Sequence, residues 1–174
     1  MSLRAPKGRG NLVEDTMTYL FMVLFAALIL IADQVTKFLT VAKISLYSKV
    51  NFLPGIVSLT YVQNDGAAFS MLEGQQWLFA VVFAVFAGFI IWEFSKKRLP
   101  FTTFERFCIV AVFAGGLGNM IDRLRLGYVV DMISTDFMNF PVFNVADIFI
   151  TCGCILLMLH LIFFNKEFWK DEKK

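Results

Sequence analysis

Four apolar stretches of near-bilayer length decide what this chain can fold into. Met17 to Val35, Trp77 to Trp92, Phe107 to Ile121 and Val145 to Asn165 each approach the ~20 residues that a helix needs to cross a ~30 Å hydrocarbon core. A soluble domain would have to bury all four. With 58% hydrophobic and 17% charged residues among 174, too little polar surface exists to cover them, so the chain is an integral membrane protein. The second stretch is the shortest, and Trp77 and Trp92 bracket it as interfacial anchors do.

The first stretch also has the look of a secretory signal, because Arg4, Lys7 and Arg9 precede the uncharged run Tyr19 to Ala32. No small-residue cleavage site follows the run, which continues into Asp33-Gln34-Val35-Thr36-Lys37. We therefore expect a retained helix. Arg4, Lys7, Arg9, Lys96, Lys97, Arg98, Arg106, Lys166, Lys170, Lys173 and Lys174 all fall on one side of the spans, eleven of the sixteen basic residues. The positive-inside rule makes that side cytoplasmic, with both termini on it and residues 43–76 and 122–144 outside. The net charge of +2 then reflects topology, and no nucleic-acid partner is expected. Cys108, Cys152 and Cys154 lie within the spans, where packing rather than a disulfide framework is the expected role. Without repeats or linkers, residues 1–174 form a single membrane domain.

The outer loops carry strand signals. Lys43 to Gln63 is rich in β-branched and aromatic residues and is broken by Leu53-Pro54-Gly55, which predicts two short strands joined by a turn. Asn64-Asp65-Gly66 supplies another turn, and Gly127 to Ile133 predicts a third strand. The expected fold class is mainly α, four transmembrane helices with a small extracytoplasmic β-sheet on the membrane surface.

At about 1.5 Å of rise per residue, Asp33 lies roughly 21 Å along its helix from Tyr19, Asn119 about 20 Å from Arg106, and Asp147 about 27 Å from Asn165. All three converge near the outer interface, joined by Lys37, Asn64, Asp122, Arg123, Asp131 and Asn144. The inner half receives almost nothing ionisable apart from His160, expected as an interfacial residue at the inner end. A channel or proton-coupled transporter needs polar groups through the whole depth. A cluster at one mouth suits a membrane enzyme better.

Bland roles exist for each residue. Asn144 and Asp147 have the spacing of a helix cap and its acidic partner. Asp33 and Lys37 have that of an i,i+4 ion pair, and Asp122-Arg123 of a brace at a helix end. Gly115, Gly116 and Gly118 suit close helix packing. Chemistry narrows by elimination. One histidine at the wrong depth leaves no ordinary zinc site and no Cys-His or Ser-His system. A Ser-Lys pair from Ser70 and Lys37 is conceivable but unmotivated by spacing. The outer face does offer acids, Asp33, Asp122, Asp131 and Asp147. Two carboxylates close together share a proton and can serve as base and acid toward water, which needs no cofactor.

DQVTK (33–37), NDGAAF (64–69), GNMIDRLRLGYVVDMI (118–133) and FPVFNVAD (140–147), in this order and spacing, resemble the bacterial signal peptidase II family, the lipoprotein signal peptidases. The resemblance covers nearly all of the chain except its termini. It implies an aspartic endopeptidase of the cytoplasmic membrane, in contact with membrane lipid, and we expect the chain to act as a monomer. Such an enzyme cleaves prolipoproteins just before a diacylglyceryl-modified cysteine. It assigns the catalytic pair to Asp131 and Asp147, without a metal, and supporting roles to Asp33, Lys37, Asn64, Gly115, Asn119, Asp122, Arg123 and Asn144. The alternative from the residues alone is a small transporter or assembly partner whose acids bind a cation.

Overall fold

The structure, a computed structural model, describes residues 9–66, 75–96 and 99–170, with the backbone alone for 9–13. Arg4, Lys7, Ser70, Lys97, Arg98, Lys173, Lys174, residues 67–69 of the NDGAAF motif and the Arg9 side chain lie outside this description. Helix α1 spans Arg9–Lys43, α2 Gln76–Lys96, α3 Thr103–Leu126 and α4 Val145–Phe163, and a short 3-10 turn follows at Lys166–Trp169. All four long helices are apolar enough to cross a membrane.

Three of the helices outrun the stretches expected from hydropathy. Asp33 and Lys37 were the apparent end of the first span, yet α1 continues to Lys43. The two charges stand four residues apart and bind each other at 2.9 Å, so the helix accommodates both on its inward face. Helix α3 starts four residues early because Thr102 and Glu105 form a capping box. It ends at Gly127, whose φ of 82° is the left-handed cap. Asp122 and Arg123 are therefore helical rather than loop residues.

Helix α3 is the centre of the bundle. Of its most apolar 18 residues, 56% are buried, against 11% in each of the other three helices. The outer faces of α1, α2 and α4 expose Leu24, Leu28, Val82, Val85, Met158 and Ile162, a surface that suits lipid and not water. Small residues set the α3–α4 distance. A Cβ at Gly115 would lie 2.6 Å from the Ala146 carbonyl oxygen, and one at Gly153 would lie 2.8 Å from Val112. Mid-bundle, Ile29, Ala111 and Ala114 form an apolar core with Phe25, Ala26 and Phe149.

At one end of the bundle lies an antiparallel sheet of β1 (Lys49–Leu53), β2 (Val57–Asn64) and β3 (Val129–Thr135), in the order β1-β2-β3. The predicted turn is present, with Gly55 at φ 75°. The third strand begins two residues later than expected, because Gly127 caps α3 instead. Pairing of β2 with β3 sets Val62 opposite Asp131 and Asn64 opposite Val129. The sheet thereby carries Asn64 and Asp131 to the bundle's end.

The opposite end corrects the expectation that only His160 would be ionisable there. Glu93 and Glu105 are both buried. Glu105 accepts from the Thr102 amide at 2.7 Å and from Asn165 Nδ2, and meets His160 Nδ1 at 2.8 Å. Helices longer than expected draw these acids in; Glu93 accepts from the Leu99 amide, and the bonds of Glu105 pin the tail of α4 to the start of α3.

Candidate active site

Five elements, α1, β2, α3, β3 and α4, deliver the polar cluster at the sheet end. Asp147 sits in the first turn of α4, where Asn144 caps the helix by accepting from the Asp147 amide at 3.0 Å. Asp147 Oδ2 accepts in return from the Asn144 amide at 3.1 Å. The capping geometry read from sequence is thus present, and it uses only part of each side chain. Asn144 Nδ2 still donates to Asp131 Oδ1 at 2.6 Å, and Asn119 Nδ2 donates to Asp147 Oδ1 at 2.8 Å. The two amides are themselves linked, Asn144 Nδ2 to Asn119 Oδ1 at 3.1 Å. Asn64 closes the set by donating to Asp131 Oδ2 at 2.8 Å.

Both carboxylates are therefore tied into one hydrogen-bond chain. Asp131 is buried at 2% exposure, whereas Asp147 is only partly buried. Burial pushes the Asp131 carboxyl up to about 6, helped by the charge of Asp147 and opposed by the hydrogen bonds from Asn64 and Asn144. A group held there has a proton to give as well as the means to take one.

Behind the pair lies a second, fully buried layer. Lys37 Nζ contacts Asp33 Oδ2 at 2.9 Å, Asp122 Oδ2 at 3.0 Å and Asn119 Oδ1 at 2.9 Å. Its three protons are all committed, so it stands as a structural cation rather than as the base of a Ser-Lys pair. Asp33 Oδ1 accepts from the Ala146 amide at 3.0 Å, and Asp122 Oδ2 from the Val130 amide at 3.1 Å. A Cβ at Gly118 would lie 2.5 Å from Asp33 Oδ2, so only glycine admits that carboxylate.

Arg123 departs from its expected pairing with Asp122. Its guanidinium lies over the Phe79 ring at 4.2 Å and donates to the Gly66 carbonyl at 2.9 Å. Lys37 has already claimed Asp122, which leaves Arg123 to tie α3 to α2 and to the Asn64–Gly66 turn. Asp136 lies apart from the cluster, bound to Lys49 and Ser58 at 2.7 Å each. Cys152 and Cys154, expected to pack, are exposed on α4, whereas Cys108 is buried.

A cavity of about 550 Å³ opens directly onto Asp131 and Asp147. Phe79, Phe140, Val142, Phe143 and Ile148 make much of its wall, with Asn119 and Arg123 at the polar end. Such an apolar cleft with a few convergent polar groups is the usual form of a binding site. Residues 25–163 match the family described as signal peptidase (SPase) II. The chain belongs to the signal peptidase II family. As a member it is a multi-pass membrane protease that removes signal peptides. It is 45% identical over 150 residues to the lipoprotein signal peptidase of Streptococcus pyogenes serotype M2, covering 86% of this chain and 93% of that one. The serotype M1 protein is 44% identical with the same coverage. A bacterial membrane enzyme solved by the in meso method at 2.3 Å superposes with a TM-score of 0.77 at 32% identity, covering 88% of this chain and 93% of that one. A second such structure, at 1.9 Å, gives 0.75 at 32%, covering 83% and 94%.

Sequence reasoning missed Gln34, Phe79 and the aromatic rim Phe140–Phe143. Gln34 lies inside the DQVTK motif but received no role. Its amide reaches Asp33 Oδ2 at 3.1 Å, Asp122 Oδ1 at 3.1 Å and the Gly118 carbonyl at 3.2 Å. The only available signal was its neighbour Asp33. A helix period cannot say that position 34 meets position 122.

Proposed function

We propose that this signal peptidase hydrolyses its substrate by aspartic chemistry, with Asp131 and Asp147 as the catalytic pair. The observation that carries the reading is the Asn119–Asn144 bridge, which orients both carboxylates at the mouth of one cavity. The ionised carboxylate takes a proton from water as its oxygen attacks the scissile carbonyl carbon. The protonated partner then delivers its proton to the departing amide nitrogen, and the C–N bond breaks. Donors already aimed at the carboxylates spare reorganisation in the transition state.

The substrates are prolipoproteins, as the names of the streptococcal relatives indicate, and the cut falls just before the lipid-modified cysteine. The apolar wall of the cavity suits acyl chains and the signal helix arriving sideways from the bilayer. The distribution of basic residues supports cytoplasmic termini and a pair at the outer leaflet. A monomer contains every residue this chemistry uses. The test is cleavage by the purified chain in lipid nanodiscs of a diacylglyceryl-modified prolipoprotein and of the same protein unmodified. Only the modified form should be cut. Equal turnover of both would overturn the assignment of the cavity to acyl chains.

A further inference from the structure

Asp33 and Asp122 each hold a particular backbone amide. Asp33 Oδ1 accepts from Ala146, the residue before Asp147, and Asp122 Oδ2 accepts from Val130, the residue before Asp131. The positions of the two catalytic aspartates thus depend on the positions of two buried carboxylates. Those carboxylates repel each other, and Lys37 offers them a single ammonium between them. One ammonium between two carboxylates leaves acceptor oxygens short of donors in a region where the three side chains are almost fully buried.

Gln34 makes up the difference. Its amide lies within hydrogen-bond distance of Asp33 Oδ2 and Asp122 Oδ1, and also of the Gly118 carbonyl. For Asp122 Oδ1 it is the only donor among the described residues. A neutral donor satisfies the second carboxylate without adding charge, a role that a second lysine or an apolar residue would not fill. Gln34 is absent from the walls of the substrate cavity.

Building on the assignment of Asp131 and Asp147 as the catalytic pair, we propose that Gln34 is a positioning residue. Together with Lys37 it clamps Asp33 to Asp122 and so sets the separation of the two catalytic aspartates. Removing its amide orphans Asp122 Oδ1. Asp122 then turns away, its hold on the Val130 amide slackens, and Asp131 drifts from its partner. The charged groups facing this position are Asp33 and Lys37 on α1, Asp122 and Arg123 on α3, Asp131 on β3 and Asp147 on α4.

The experiment compares Gln34→Met and Gln34→Glu with the parent chain in nanodiscs, using a lipid-modified prolipoprotein and recording kcat, KM and thermal unfolding across pH. Gln34→Met keeps the shape and loses the donor, so kcat should fall about ten-fold or more, as displaced reacting groups do. KM should stay within about two-fold, because the residue is outside the cavity. Gln34→Glu should regain kcat relative to Gln34→Met on acidification, when its carboxyl is protonated and donates to Asp122, and lose it as that proton leaves. A role in packing alone predicts no such pH-dependent rescue. A Gln34→Met kcat within two-fold of parent, or equal deficits in both variants at every pH, would overturn the clamp. If Gln34→Met does not fold, the Gln34→Glu profile decides by itself. Asp131→Asn and Asp147→Asn run in parallel. Inactivity there with a normal Gln34→Met refutes the clamp alone, whereas activity there refutes the catalytic pair on which the clamp rests.

Discussion

Asp147→Asn separates the two roles that its position allows. The aspartate belongs to a capping box and, in our reading, to the catalytic pair. Asparagine keeps one oxygen and replaces the other with a donor. It can still accept from Asn119 Nδ2 or from the Asn144 amide, now at 2.8 and 3.1 Å, but not from both. Loss of a cap interaction costs about 0.5–2 kcal/mol. Against a total stability of about 5–15 kcal/mol, nearly every molecule stays folded. If capping were the whole role, kcat would change by less than about two-fold while the unfolding temperature fell by a few degrees. Loss of general acid–base help instead costs about 10²- to 10⁴-fold in rate, equivalent to about 3–5 kcal/mol of barrier. The two outcomes lie at least about fifty-fold apart, well beyond the scatter of a cleavage assay. The measurement is kcat on a lipid-modified prolipoprotein in nanodiscs beside a thermal melt. The expected result is a rate below one-hundredth of parent with a melt shifted only slightly, and Asp131→Asn with the double variant should be similarly inactive, because the pair acts as one unit. Near-normal turnover with a lowered melt would refute the catalytic assignment.

Asp131 binds its proton more tightly folded than unfolded, about 6 against 3.8. Its effect on stability is therefore most favourable below 3.8 and declines as pH rises through about 6, and the alkaline limb of kcat/KM for the free enzyme should fall near the same value. Asn64→Ala removes a donor that favours the ionised form, so that limb should move to higher pH; a downward shift would contradict the hydrogen bond. Gly115→Ala places a methyl 2.6 Å from the Ala146 carbonyl and should destabilise the protein by about 1–3 kcal/mol, read as a lowered melt, whereas an unchanged melt would mean that α4 yields freely. For topology, single cysteines at Ser95 and Phe52, both exposed, are placed in a chain without Cys108, Cys152 and Cys154; Phe52→Cys should react with an impermeant thiol reagent in intact cells and Ser95→Cys only after permeabilisation. Ser58, in the same β1–β2 hairpin, is fully buried and would not report.

The four spans were legible in sequence because the solvent decides them: a ~30 Å apolar slab accepts only long runs whose backbone is satisfied internally. The three strands were legible, since β-branched and aromatic runs and the Leu53-Pro54-Gly55 turn are local signals, whereas their pairing and register came only from the fold. Asp147 at the head of α4 was legible too, because Asn144 and Asp147 bond each other across three residues. What stayed hidden were the partners. Asp33 on the Ala146 amide spans 113 residues, Gln34 on Asp122 spans 88, and Asn64 on Asp131 spans 67. The expected Asp122–Arg123 brace failed for the same reason: adjacency in sequence said nothing of Lys37, which reaches Asp122 from another helix. Burial of Glu105 likewise depends on Asn165 and His160 arriving from α4 and the tail beyond it. Periodicity assigns a residue to a face of its own helix. Only packing, here so close at Gly115 and Gly118 that no Cβ would fit, determines which residue of another helix that face will meet.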